Sequence, residues 1–258
     1  MIADYHVHSG WSDGQGTAAE LLAAAAALGL PEIGIADHLV HPSLGYGMPP
    51  ERLPAYAAAM RRAAAAARSA GLLVAVEVDY TPETWAELAA PLSQAGLDYV
   101  IGSVHFVDGA PFDVEAREVD ERWPDADVLF TRYYDHVARL AASGAVDVIG
   151  HLDLPKKFGQ RPSAAAGAAA EVALDAIAAA CVLVEINTSG LRSPAAEAYP
   201  AATLLAGARA RGIGITFGSD AHRPQEVGAS FAHAEELARS VGYTTYVRPS
   251  DRAQVRLP

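Results

Sequence analysis

Seven short apolar runs, IADY, EIGIA, LLVAVEVDY, LDYVIGSV, VDVIG, VLVEI and GIGITFG, recur along the chain, each followed by a longer stretch of helix-forming residues. Runs of this length read as buried strands. The intervening stretches read as helices over residues 17–28, 51–70, 84–95, 127–143, 164–180, 195–211 and 225–241. Strands that alternate with helices pair in parallel, the helices serving as crossovers. Seven such units without a break in composition favour a closed or nearly closed α/β barrel over a doubly wound open sheet. The 258 residues are an ordinary length for one such domain, spanning 1–258.

Local signals place some boundaries. Thr17 and Glu20 form a capping-box pair ahead of the first helix, and Thr84 with Glu87 gives a second start of the same kind. The Ala runs at 23–27 and 63–67 are helix formers with small packing surfaces, and no function is assigned to them. Residues 107–126 lack periodicity and are expected to form a long loop or lid with at most a short helix. YTTYV at 243–247 is a candidate extra strand.

Composition narrows the class. With 51% hydrophobic and 19% charged residues, the chain can bury a sizeable core. A net charge of −12 opposes binding to nucleic acid, which needs a basic face. The start has no basic segment, and the longest apolar run, around LLAAAAALGL, falls short of the ~20 residues a membrane span requires. A cytoplasmic protein is therefore expected. The single cysteine, Cys181 in AACVLVEI, has no intrachain disulfide partner and is expected as filler in a buried strand.

The chemistry lies at the strand ends. His6 and His8 follow the first strand, His38 the second, and Glu77 ends the third. His105 ends the fourth, His151 the fifth, and Asp220 with His222 the seventh. In a parallel barrel these ends form one face, where barrel enzymes carry their active sites. In extended backbone, residues i and i+2 project to the same side, so His6 and His8 can share a cation, and Asp220 with His222 can hold others nearby. Imidazole and carboxylate donors suit Zn, Mn or Fe, and the absence of cysteine donors argues against a closed structural zinc site. Asp13, on the loop after the first strand, is within reach of the cluster but reads equally well as a turn residue before Gly14.

The ordered set YHVHS with SDG, IADH, the strand-terminal Glu77, GSVHF, GHLDL, INTSGLR and GSDAH resembles the PHP (polymerase and histidinol phosphatase) superfamily, in particular its histidinol-phosphate phosphatases. The resemblance runs from residue 4 to about 222. It implies a distorted seven-stranded (β/α)7 TIM-like barrel and three divalent metal ions, Zn, Mn or Fe. By that resemblance His6, His8, Glu77 and Asp220 hold one metal. Glu77, as a bridge, His105 and His151 hold a second, and Asp13, His38 and His222 a third. Some family members carry His where Asp13 stands, which leaves the third site open. Asp153 is equally a partner orienting a ligand or a structural contact.

The resemblance also supports Arg161 and Arg192, in the loops after the fifth and sixth strands, as phosphate-binding residues, since a guanidinium grips phosphate oxygens bidentately. Lys156 and Lys157 are expected to be solvated. Phe112, Asp113 and Trp123 are expected either to shape a substrate pocket or to pack as a lid. His41, His136 and His233 match no motif. The implied reaction is hydrolysis of L-histidinol phosphate to L-histidinol and phosphate, with a metal-bridged hydroxide attacking phosphorus in line and Asp220, His222 and Glu77 as the catalytic set. The partner is then a small phosphorylated substrate rather than nucleic acid or membrane, and the protein a monomer or small homo-oligomer. Alternatives are a phosphoesterase of the same superfamily acting on nucleotides, oligonucleotide ends or phosphotyrosine, and a non-catalytic scaffold of the same fold. A metal-dependent amidohydrolase is disfavoured because no lysine stands at a strand end.

Overall fold

The computed structural model describes residues 1–68 and 70–258. The chain begins β1 (Asp4–Val7), α1 (Ala18–Leu28), β2 (Glu32–Leu39), α2 (Leu53–Ala66), β3 (Gly71–Asp79), α3 (Trp85–Leu92) and β4 (Tyr99–Ser103). A short hairpin, β5 (Phe106–Val107) and β6 (Ala110–Pro111), leads to α4 (Ala116–Arg122), α5 (Ala126–Ala142) and β7 (Val148–Ile149). Then come α6 (Ala164–Ala179), β8 (Leu183–Asn187), α7 (Ala202–Ala210), β9 (Ile215–Gly218), α8 (Phe231–Ser240), β10 (Thr245–Val247) and β11 (Gln254–Arg256).

Seven of these strands form one parallel sheet in the order β1-β2-β3-β4-β7-β8-β9. The residues just past β9 bring its end back to β1. Asp220 N donates to His6 O at 2.8 Å and His8 N to Ala221 O at 2.8 Å, so the sheet is a nearly closed barrel. Asp4 staples this seam, its carboxylate accepting from Ser219 N at 2.9 Å and Gly228 N at 2.8 Å.

Alternation along the strands divides apolar packing from chemistry. On β3, Val74, Val76 and Val78 join the core cluster that also holds Leu88 of α3 and Tyr56 and Met60 of α2. Ala75, Glu77 and Asp79 take the opposite face. The other end of the barrel is shut by the antiparallel pair β10–β11, whose Tyr246 packs against Tyr5 and Phe217 with ring centroids 6.4 and 5.5 Å away. Burial of this apolar surface is the main drive for closure.

Several local expectations are met and others corrected. The capping box at Thr17 and Glu20 is formed in both directions. The Thr84 hydroxyl instead pairs with Thr81 at 2.6 Å and does not cap α3. The segment 107–126 is a hairpin followed by the short α4. The expected helix over 195–211 begins only at Ala202, because residues 187 and 199 are bridged in antiparallel fashion and Pro200 offers no amide hydrogen. Cys181 is exposed, not buried in a strand; it sits at φ 56° in the turn after α6, two residues before β8. Among the described residues no helix is long and apolar enough to cross a membrane.

Candidate metal centre

All the strand-end donors meet at the carboxyl end of the barrel. Three groups of donor atoms lie within 4.8 Å of one another: His8, Asp13, His38 and His222; His6, His8 and Glu77; His38, Glu77 and His105. Asp220 Oδ1 is 3.2 Å from His8 Nε2, and His151 Nε2 is 2.8 Å from Glu77 Oε1. His6, His8, Asp13, His38, Glu77, His105, His151, Asp220 and His222 therefore form one continuous cluster. It opens into a cavity of about 900 Å³ whose lining includes Tyr46, Phe106, Asp113, Ser189, Arg192 and Tyr199.

Glu77 is the hub. It is 1% exposed, and its Oε2 lies 3.2 Å from His6 Nε2, 3.1 Å from His38 Nδ1 and 3.5 Å from His8 Nε2. Despite that proximity Oε2 has no hydrogen bond of acceptable geometry, and neither do His8 Nδ1, His38 Nδ1 and His151 Nδ1. Nitrogens gathered around a buried carboxylate oxygen without hydrogen-bond geometry are unusual, because buried polar atoms are nearly always paired. His6 Nε2 and His8 Nε2 also face each other at 3.1 Å. Donor atoms gathered this closely around a buried, unsatisfied carboxylate oxygen fit divalent cations.

The outer nitrogens of several imidazoles are fixed by other groups. His6 Nδ1 faces Glu185 Oε1 at 2.7 Å, His105 Nδ1 faces Asp79 Oδ1 at 3.0 Å, and His222 Nδ1 faces Asp220 O at 3.0 Å. Each partner accepts the Nδ1 hydrogen and leaves Nε2 free to turn into the cluster. Glu185 also accepts from the His151 amide at 2.9 Å and from Asn187 Nδ2 at 2.9 Å. Gly218 is required here, since a Cβ at this position would overlap the Glu185 carboxylate. Asp220 and Asp153 hold φ of 54° and 81° at the points where the chain leaves the barrel wall. Such conformations are uncommon outside glycine and concentrate at functional sites.

Electrostatics without bound cations follow from this packing. Burial alone would raise the carboxyl pKa values and lower those of the imidazoles. Opposite charge outweighs burial at most positions. Glu77 and Asp220 are held well below the usual carboxylate range, chiefly by His38 and His6 respectively. Glu185 and Glu77 hold His6 well above its ordinary value. Glu77 and Asp79 bring His38 to about 10, and Asp79 brings His105 to about 9. Burial, joined by the neighbouring His38 charge, lowers His8.

Other expected residues fall in different places. Arg192 lines the cavity, its guanidinium donating to Ser219 O at 2.8 Å and Asp220 O at 3.2 Å. Arg161 does not line it. The chain turns outward at Gly159, and Arg161 pairs with Glu197 at 3.5 Å over a separate hollow lined by Phe130, Tyr134 and Leu204. Lys156, expected in solvent, is buried in an ion-pair cluster, and half-buried Lys157 donates to Asp113 O at 2.6 Å at the cavity wall. Phe112 and Trp123 pack into the core beneath the hairpin, whereas Asp113 faces the cavity. Asp153 accepts from Ala201 N at 2.9 Å, so it braces a loop and makes no contact with His151 of the kind that orients a ligand. His41 and His233 lie outside the cluster, and His136 is buried on α5 against Tyr80.

A "Probable histidinol-phosphatase" of Deinococcus radiodurans is 39% identical over 253 residues, covering 95% of both chains. One of Schizosaccharomyces pombe with the same name is 28% identical over 190 residues, 67% of this chain and 61% of that one. The crystal structure of a histidinol phosphate phosphatase from Lactococcus lactis, complexed with zinc, L-histidinol and phosphate, superposes with a TM-score of 0.81 at 21% identity, covering 99% of each chain. Residues 4–189 match the PHP domain family. With that match over most of its length and a 39% identical relative over nearly all of it, the chain belongs to the PHP family.

Proposed function

We propose that this chain is a metal-dependent phosphomonoesterase that hydrolyses L-histidinol phosphate to L-histidinol and phosphate. The observation that carries the reading is the gathering of imidazole nitrogens of His6, His8 and His38 around the buried Glu77 Oε2, which no hydrogen bond satisfies, at the floor of a cavity that also presents Arg192. The relative named "Probable histidinol-phosphatase", 39% identical to this chain over 95% of its own length, supports the substrate.

His6, His8, Glu77 and Asp220, then Glu77, His105 and His151, then Asp13, His38 and His222 are the donor sets for up to three cations, with zinc, manganese or iron fitting the chemistry. Bound cations supply Lewis-acid polarisation of a phosphoryl oxygen and a water acidic enough to attack at neutral pH. Arg192 grips non-bridging phosphate oxygens from the rim, its remaining N–H groups being free beyond those given to Ser219 and Asp220. Asp220 and His222 are the nearest acid–base groups, but both belong to the donor sets and neither is given a separate proton-transfer role. Tyr46, Phe106 and Asp113 offer the substrate's imidazole an apolar wall and its ammonium a carboxylate. A net charge of −12 disfavours polyanionic substrates. Cytoplasmic location and a monomeric or small homo-oligomeric state belong to the same proposal.

Initial rates on L-histidinol phosphate, AMP, phosphotyrosine and a short single strand, with L-histidinol added as a product inhibitor, test the substrate. A kcat/KM for L-histidinol phosphate on the order of a hundredfold above the others, competitively inhibited by L-histidinol, is expected. A preference for nucleotides or phosphotyrosine overturns the substrate while leaving the centre intact.

A further inference from the structure

Lys156 is 2% exposed, a burial that lysine reaches almost only when paired. Its ammonium has three hydrogens and meets three acceptors: Ala198 O at 2.7 Å, Asp153 Oδ2 at 3.0 Å and Glu197 Oε2 at 3.2 Å. The ring of Tyr199 lies 5.3 Å from Nζ. Glu197, Ala198 and Tyr199 belong to the loop between β8 and α7, which also carries Ser189 and Arg192 to the cavity. Asp153 stands two residues past His151, and its Oδ2 accepts from Ala201 N at the far end of the same loop.

One buried charge therefore ties the loop that supplies a metal donor to the loop that supplies the guanidinium. Elsewhere the second loop is held by the Asn187–Tyr199 backbone pair, by Ala195 N, which donates to Lys157 O at 2.9 Å, and at its start by Thr188, whose N donates to Gly218 O at 2.9 Å and whose Oγ1 donates to Ala229 O at 2.7 Å. Tyr199 itself packs edge-on to His151, with ring centroids 6.4 Å apart. We propose that Lys156 is a positioning residue for phosphate binding, setting the 188–201 loop against the His151 turn so that Arg192 faces the metal centre. This inference rests on the reading of Arg192 as a phosphate ligand. A strut that served stability alone would change unfolding but not the anion affinity of the folded protein.

The test uses metal-loaded K156M, which keeps the aliphatic stem, and E197Q, which weakens a half-exposed acceptor, each alone and combined with R192A. Affinity for inorganic phosphate is titrated calorimetrically, and KM and kcat are measured for a phosphate monoester. K156M is expected to raise the phosphate Kd and KM about tenfold with metal content unchanged and kcat altered less than about threefold, and E197Q to raise both roughly threefold. Neither should add to the loss already caused by R192A, because groups acting through one another are not additive. Variants that unfold more readily yet bind phosphate as the parent does, or losses that multiply with that of R192A, overturn the proposal. If K156M does not fold, E197Q decides by the same criterion. The phosphate titration needs no turnover, so a parent chain that binds phosphate but cleaves no monoester sinks the catalytic reading alone.

Discussion

His38 on β2 and Glu77 on β3 are register partners in the parallel ladder, and their side chains meet with His38 Nδ1 3.1 Å from Glu77 Oε2. Side chains at paired positions share a face, so the ladder itself delivers donors from different parts of the sequence to one point. E77Q keeps the shape and removes the charge that holds His6 and His38. It is expected to bring bound metal, measured by elemental analysis, well below the parent's content and to reduce turnover to background. Near-parental metal and rate in E77Q would remove Glu77 from the centre.

Glu185 and Asp79 touch the outer nitrogens of His6 and His105 at 2.7 and 3.0 Å. Groups in this position fix the tautomer of a metal-binding imidazole, and losing one typically costs about ten- to a hundredfold in metal affinity or activity. E185Q and D79N are each expected to fall in that range by competition with a chromophoric chelator. Unchanged affinity in both would mean the two carboxylates only fill space.

Metal binding should release protons. Without cations, burial favours neutral imidazoles, but the neighbouring carboxylates outweigh it and hold His38 at about 10 and His105 and His222 at about 9. These groups are protonated at neutral pH, and coordination needs them neutral. Apparent metal affinity therefore rises with pH through the neutral range and levels off above about 9 to 10. Titration calorimetry in buffers of different ionisation enthalpy measures the protons released; an affinity independent of pH between 6 and 8 would contradict the charge pattern.

Away from the centre, the Thr17–Glu20 capping box satisfies exposed amides at the start of α1, with Glu20 N donating to Thr17 Oγ1 at 3.3 Å and Thr17 N to Glu20 Oε2 at 2.8 Å. T17A is expected to lower stability by about 1 kcal/mol in chemical denaturation and leave kcat/KM unchanged. A loss of activity at unchanged stability would tie this helix to the site in a way its position does not suggest.

The barrel and its donors were legible because both follow from a period. Apolar runs broken by helical stretches give the parallel strands, and a histidine or acid at six of the seven strand ends gives the face. Glu185 and Asp79 escaped although a signal was present: each is an acid inside an apolar run, VLVEI and VEVDY, where burial demands a partner. Asp79 lies two residues past Glu77 and so on the same face. Lys156 and Arg161 were misplaced because nothing local tells a 3-10 turn from an open loop. The turn at Leu154–Phe158 buries Lys156 beneath the 188–201 loop, and Arg161, three residues past it, pairs with Glu197 away from the cavity. Cys181 shows the opposite failure: its apolar run continues into the strand, but the residue itself stands in the turn two residues before the strand begins.

The most direct test is phosphate release from L-histidinol phosphate by protein stripped of metal and then resupplied with Mn²⁺ or Zn²⁺, with E77Q treated in parallel. The expected result is negligible release by the stripped protein, rapid release on resupply, and none from E77Q under either metal. Turnover that persists in the stripped protein, or that metal fails to restore, would contradict a phosphatase built on this cluster.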